Sequence, residues 1–222
     1  MDTSGTSGWS IGADLLLLAL FGFVAVQLLR GRPRRAPVLT VVAVIAIGIP
    51  SLLQFAVPVV GRALERDTPA TLAHGEWWRP FTALLAQDGG PIAAVFNLIV
   101  VGLVVFMGEQ SWGRLRTAVA FLSPAIVLNL VALAWVSHGG GSSFAADGLM
   151  VGLTVWAALT QRIVPVRVIA VAQLAVGAGL VVLNDAHGLA MLVGAVVGLL
   201  IGAVDRSAGR IMDASHIRKD AP

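Results

Sequence analysis

The sequence predicts an all-α, polytopic membrane protein. Its apolar residues form long blocks, its charges fall between those blocks, and its polar fraction is too small to clothe a soluble domain. Of 222 residues, 57% are hydrophobic and 12% charged, and the mean hydropathy is +0.88. A soluble chain of this length covers its surface with far more polar side chains. The blocks show neither the stripe of a half-buried helix nor the alternation of an outer-membrane strand. In hydrocarbon the backbone must satisfy its own hydrogen bonds, so such blocks read as helices.

Seven segments reach about the length needed to cross a hydrocarbon core of roughly 30 Å: residues 9–29, 38–60, 91–107, 117–136, 144–159, 164–183 and 186–204. The first follows Asp2 with no Lys or Arg ahead of it, and its basic cluster comes after the apolar run. That order fits a reverse signal-anchor and not a cleaved signal peptide. The cluster of Arg30, Arg32, Arg34 and Arg35 then sets the orientation. With it in the cytoplasm, Arg114, Arg116, Arg162, Arg167, Arg206, Arg210, Arg218 and Lys219 fall there too. Only Arg62, Arg66 and Arg79 of the 15 basic residues remain outside. The amino terminus is expected outside the cell membrane and the carboxyl terminus in the cytoplasm. The one sizeable outer loop, 62–90, contains Gly75-Glu76-Trp77-Trp78-Arg79-Pro80-Phe81, whose paired Trp beside an Arg suits the headgroup layer. Three regions follow: 1–36 with the added helix and basic loop, a membrane core over 37–205, and a polar, mobile cytoplasmic tail over 206–222.

Several function classes are excluded. A net charge of +3 and a pI near 10.9 would by themselves suggest nucleic-acid binding. The basic residues instead mark loop ends and have no aromatics interleaved for base stacking. The chain has no Cys, which removes disulfides, thiolate metal sites and cysteine nucleophiles. A small transporter is disfavoured because the intramembrane charges line no continuous path and no matching broken helices occur in two halves.

Polar groups within apolar helices are costly and therefore mark function. Asn97 and Glu109 lie in the third segment and near its cytoplasmic end, Asp147 near the outer end of the fifth, and His187, beside Asp185, at the start of the seventh. Gly139-Gly140-Gly141-Ser142-Ser143 precedes the fifth, a stretch whose backbone N–H groups can face a cavity. His74 and His138 read as solvated loop residues, and His216 lies in the tail.

Over residues 38 to 204 this constellation resembles the rhomboid family of intramembrane serine proteases. Gly75 to Arg79, with Trp78 and Arg79, is similar to the family's Trp-Arg loop. Asn97, Glu109 and Gly113 match the Asn…Glu…Gly pattern of its second core helix. Ala186-His187, then Gly194, Gly198 and Val204-Asp205, resembles the last core helix. The small residues would let that helix pack closely on the nucleophile's helix. The resemblance implies a six-helix core preceded by one extra transmembrane helix. It also implies a Ser–His dyad with an Asn holding the oxyanion, and no metal or cofactor. Partners are then the lipid bilayer and transmembrane substrates or clients.

The family nucleophile sits in Gly-x-Ser-Gly with another Gly five residues after the Ser, and two registers fit. In the first, Gly141-Ser142-Ser143 supplies Gly-x-Ser and Gly148 the later Gly, while Phe144 replaces the Gly after the Ser. In the second, Asp147-Gly148 replaces Ser-Gly and the nucleophile is gone. The first makes Ser143 the nucleophile and His187 its base. It also sets Asp147 one turn below Ser143, where the family usually carries an aromatic against the His. There Asp147 is expected to accept the His187 N–H and complete a triad. The family His four residues before the Asn is replaced by Ala93, so one expected oxyanion contact is missing. The resemblance thus implies an intramembrane serine endopeptidase, with an inactive, client-binding pseudoprotease as the alternative.

Overall fold

The computed structural model describes residues 8–30, 35–134, 138–161 and 163–219. Ten α-helices and two short strands occur among them in chain order. These are α1 (Gly8–Leu29), α2 (Val38–Ala56), α3 (Pro58–Leu64), β1 (Arg66–Asp67), α4 (Thr68–His74), α5 (Arg79–Thr82), α6 (Gly90–Trp112), α7 (Arg114–Val131), β2 (His138–Gly139), α8 (Ser143–Thr160), α9 (Val164–Val182) and α10 (Ala186–Lys219). Six of them, α2 and α6 to α10, are long and apolar enough to cross a membrane, and α1 contributes a shorter apolar stretch, Leu15–Leu29. The chain is a multi-pass membrane protein in contact with the bilayer.

The expected segments differ from the helices at identifiable places. The second segment is not one span over 38–60, because α2 ends at Ala56 and α3 begins at Pro58. Proline disfavours helical backbone in the residue before it, and Val57 stands at φ −129°, ψ 81°. The third runs past 107 to Trp112, bringing Glu109 inside α6. The seventh runs past 204, since α10 continues to Lys219. The expected end followed hydropathy, whereas backbone hydrogen bonding continues into polar sequence. The end of the fourth segment, 135–136, lies outside the described residues, as do Arg32, Arg34, Arg162 and 220–222 of the tail.

Helix α8 is the centre of the bundle: 78% of its span is buried, against 22–44% for the other five. Its seam with α10 is built from glycines. A Cβ on Gly194 would collide with Gly148 O, and one on Gly198 with Gly152 O, so the two backbones touch directly. At the end remote from Ser143, Glu109 is buried and accepts from Leu39 N (3.0 Å), Thr40 N (3.0 Å), Thr40 Oγ1 (3.0 Å) and Arg114 Nε (3.1 Å). Its carboxylate thereby caps the first turn of α2 and offsets the positive end of that helix. Gly113, at φ +79°, makes the turn from α6 into α7. Asp205 joins Trp156 Nε1 (2.9 Å) to Arg116 Nη1 (2.8 Å), linking α8, α10 and α7.

Candidate active site

The loop that delivers Ser143 is held from both sides. β1 and β2 pair antiparallel, with Arg66 opposite Gly139 and Asp67 opposite His138. Gly141 N donates to Ala83 O (2.9 Å) and Gly140 N to Asp88 Oδ2 (2.9 Å). Gly140 has no room for a side chain, since a Cβ would lie 2.8 Å from Ala86 Cβ and 2.9 Å from Ala83 O. Arg66 is buried and donates to Asn129 Oδ1 (2.7 Å) and His138 O (3.2 Å). Burial lowers the Arg66 pKa, with Asp88 acting against it. Burial also raises the Asp88 carboxyl above its ordinary range, opposed by the Gly140 N–H and by Arg66.

Ser143 opens α8 and His187 lies in the first turn of α10. The close glycine seam brings these helix ends together: Ser143 Oγ is 3.1 Å from His187 Nε2. His187 Nδ1 is 2.6 Å from Asp185 Oδ1, and the same oxygen accepts from the His187 backbone N–H at 3.0 Å. Asp185 therefore caps the start of α10 and orients the ring in one gesture. A carboxylate only accepts, so Nδ1 carries the proton and Nε2 is free to accept from the serine hydroxyl. The hydrogen bond from His187 holds the Asp185 carboxyl below its usual range, against the opposing effect of burial.

The carboxylate hydrogen-bonded to His187 Nδ1 is thus Asp185, in the place that the sequence reading gave to Asp147. The i+4 rule did set Asp147 correctly beside Ser143, where it is buried and lines the same narrow pocket as Asn97, Ser143, Leu18, Phe96, Val100, Ala146 and Met150. The ring nitrogen meets its own helix cap, two residues back, through the geometry of the first turn. Phe144 stacks edge-on against His187 at 4.9 Å between centroids. That is the contact the resemblance assigns to an aromatic at position 147.

Asn97 Nδ2 donates to Gln87 Oε1 (2.9 Å), and Gln87 Nε2 donates to Ser142 Oγ (3.0 Å). Gln54 fixes the Gln87 backbone, donating Nε2 to Gln87 O (3.0 Å) and accepting from Gln87 N (3.3 Å). Gln87 and Gln54 were missed in the sequence. Gln87 lies in the 62–90 loop, where a polar residue draws no notice, and only its burial reveals the network. Asp185 carried a readable signal, the spacing of an N-cap residue two before a His.

The remaining motif residues lie outside this cluster. Gly148 and Gly194 form the seam, and Glu109 and Gly113 the opposite end. Trp77 and Trp78 are both exposed. Arg79 pairs with Glu76 and donates to Arg62 O (2.6 Å) and Glu65 O (3.1 Å), bracing the loop. Among the described residues no group of three or more His, Asp or Glu side chains is placed to hold one metal ion.

Fold and site together define a class: a polytopic helical membrane protein with a Ser–His–Asp line at one end of its central helix. The family model for the Rhomboid domain matches residues 74–208, more than half of the chain. The chain belongs to the rhomboid family. Comparison with curated proteins gave no significant match.

Proposed function

We propose that this protein is an intramembrane serine endopeptidase cutting transmembrane helices near the outer membrane face. The observation that carries the reading is the 3.1 Å approach of Ser143 Oγ to His187 Nε2, with Asp185 on the far ring nitrogen. In the proposed reaction Ser143 Oγ bonds to the scissile carbonyl carbon while its proton passes to His187 Nε2. Negative charge moves to the carbonyl oxygen, facing the Asn97 amide and the positive amino-terminal end of α8. Collapse breaks the C–N bond as His187 returns the proton to the leaving amine. Water, deprotonated by His187, then releases the acyl group from Ser143. Asp185 steadies the imidazolium in both halves.

A second reading, an inactive member that binds transmembrane clients, is favoured by Phe144 and Ala93, which depart from the family pattern. A fluorophosphonate probe separates the two. Covalent labelling lost in Ser143→Ala and in His187→Ala supports the protease, and a folded sample that takes no label supports the pseudoprotease. The proposed orientation places the amino terminus outside the cell membrane and the carboxyl terminus in the cytoplasm, on the distribution of basic residues. Because the chain lacks Cys, a membrane-impermeant maleimide tests it. Ser4→Cys should label in intact cells and Ser215→Cys only after permeabilisation; the reverse would overturn the orientation.

A further inference from the structure

The added helix α1 is a wall of the pocket that holds Ser143. It packs on α6, α8 and α9, and its Leu18 lines the pocket with Asn97, Ser143 and Asp147. Elsewhere α8 is sealed by backbone-close contacts: Gly148 lies against Pro124 of α7 and Gly194 of α10, and Gly152 against Gly194. The flank between α6 and α9 is the one closed by α1.

The contact chemistry of α1 differs from that of the other seams. Its buried face is a stripe of large apolar side chains, Leu17, Phe21, Val24 and Leu28, spaced at four, three and four residues. Its opposite face exposes Leu15, Leu16, Phe23 and Val26 to lipid. In a bilayer such side chains gain nothing from leaving water, because lipid tails are equally apolar. What holds α1 is van der Waals contact that another Leu-, Phe- and Val-rich helix can supply. Its advantage is the tether: only residues 30–37 separate it from α2, which keeps its effective concentration high. A competing helix must offer something more. Leu18 presents no polar atom to the Asn97, Ser143 and Asp147 groups around it, whereas a helix with a polar or unwound segment at that level adds hydrogen bonds there.

We propose that α1 is the resident occupant of a docking groove on α6, α8 and α9, and that a client transmembrane helix reaches Ser143 by displacing it. The docking claim stands apart from catalysis; only its consequence for cleavage rests on the protease reading. α1 is then a built-in competitor that sets a threshold for entry to the pocket it closes.

The test uses the full chain, whose lack of Cys makes an introduced pair unique. Leu18→Cys and Val100→Cys face the same pocket from α1 and α6. In a Ser143→Ala background, a benzophenone side chain at Phe96 reports capture of a single-span Leu/Ala-rich peptide with a central Ser-Gly pair. Reduced protein should capture the peptide, and oxidation should lower capture roughly tenfold or more, because the displaced state is removed. Reduction should restore it in the same sample, which excludes a folding defect. Equal capture in both states overturns the proposal, and so does a pair that fails to oxidise. Fluorophosphonate labelling of the same pair with Ser143 retained separates the two claims. If oxidation abolishes capture while neither state labels, α1 displacement stands and the protease reading falls.

Discussion

Substituting Gly152 by Ala tests whether the α8–α10 seam sets the catalytic geometry. A Cβ at 152 would stand 2.7 Å from Gly194 O, so the helices must part by roughly 0.7 Å to restore ordinary contact. The obstacle is backbone, which cannot swing aside as a side-chain tip can. Gly152 and Gly194 lie nine and seven residues from Ser143 and His187, about 14 and 11 Å along their helices. Ser143 Oγ and His187 Nε2 are 3.1 Å apart, and a hydrogen bond is lost beyond about 3.5 Å. The tolerance at the dyad is therefore smaller than the displacement imposed at the seam. Gly152→Ala should cost about 1–3 kcal/mol of stability through overpacking. It should also slow fluorophosphonate labelling of Ser143 by roughly 10²-fold, in line with a misplacement of this order. The matched control is Gly179→Ala on α9, where a Cβ meets nothing within 4 Å and labelling should be unchanged. Thermal unfolding in detergent and the labelling rate read the two effects. A Gly152→Ala protein labelling at the parent rate would refute the claim that helix proximity holds the dyad.

Three further outcomes follow from the contacts. Asp185→Asn removes the charge on His187 Nδ1 and should lower the labelling rate about 10²-fold with little change in fold. Because the folded Asp185 pKa is depressed, its stabilisation is full above the ordinary value of 3.8 and disappears as pH falls through the folded value. Unfolding temperatures of parent and Asp185→Asn, followed from pH 7 downward, should accordingly converge only below about pH 4. Arg66→Met leaves Asn129 Oδ1 and His138 O without their buried donor. It should cost about 3 kcal/mol, measured by unfolding, and slow labelling by loosening the loop ahead of Ser143. Glu109→Gln turns an amide N–H toward backbone donors and should cost about 2 kcal/mol. It should leave the labelling rate of folded protein unaltered, since Glu109 lies about 18 Å along α6 from Asn97; a change in that rate would contradict a purely structural role.

The spans were legible because length and hydropathy are what a bilayer demands, and their ends were not. Pro58 broke the second segment through a steric rule that a hydropathy window averages away, and α10 carried its hydrogen bonds past the last apolar residue. At the site, Asn97, Asp147 and His187 were readable as polar residues where polarity is costly and Ser143 only through the resembling Gly-x-Ser motif, and the structure gathers all four at one end of the bundle. Helix periodicity says which residues share a face. It does not say which of two carboxylates a rotating imidazole meets first, and local capping geometry decided for Asp185. Gln87 was invisible for the converse reason: its importance lies in burial, and loop sequence carries no sign of burial.

The departures from the family pattern also bear on one another. Phe144 takes the position of the Gly after the nucleophile, and its ring supplies the contact on His187 that an aromatic at 147 would have made. Position 147 is thereby released for a carboxylate in the pocket. Ala93 leaves one expected oxyanion contact unmade, and Gln87 Oε1 accepts from Asn97 Nδ2, which holds the Asn97 amide in place without restoring that donor. A site drifting after loss of function accumulates changes independently, whereas here the vacated contact on His187 is met by an adjacent side chain. Replacing Phe144 by Gly separates the alternatives. If the ring substitutes for the family aromatic, Phe144→Gly should free His187 to rotate and slow labelling despite restoring the family residue, and Phe144→Gly with Asp147→Phe should recover it. Faster labelling by Phe144→Gly alone would show that Phe144 obstructs the site and that its contact with His187 compensates for nothing.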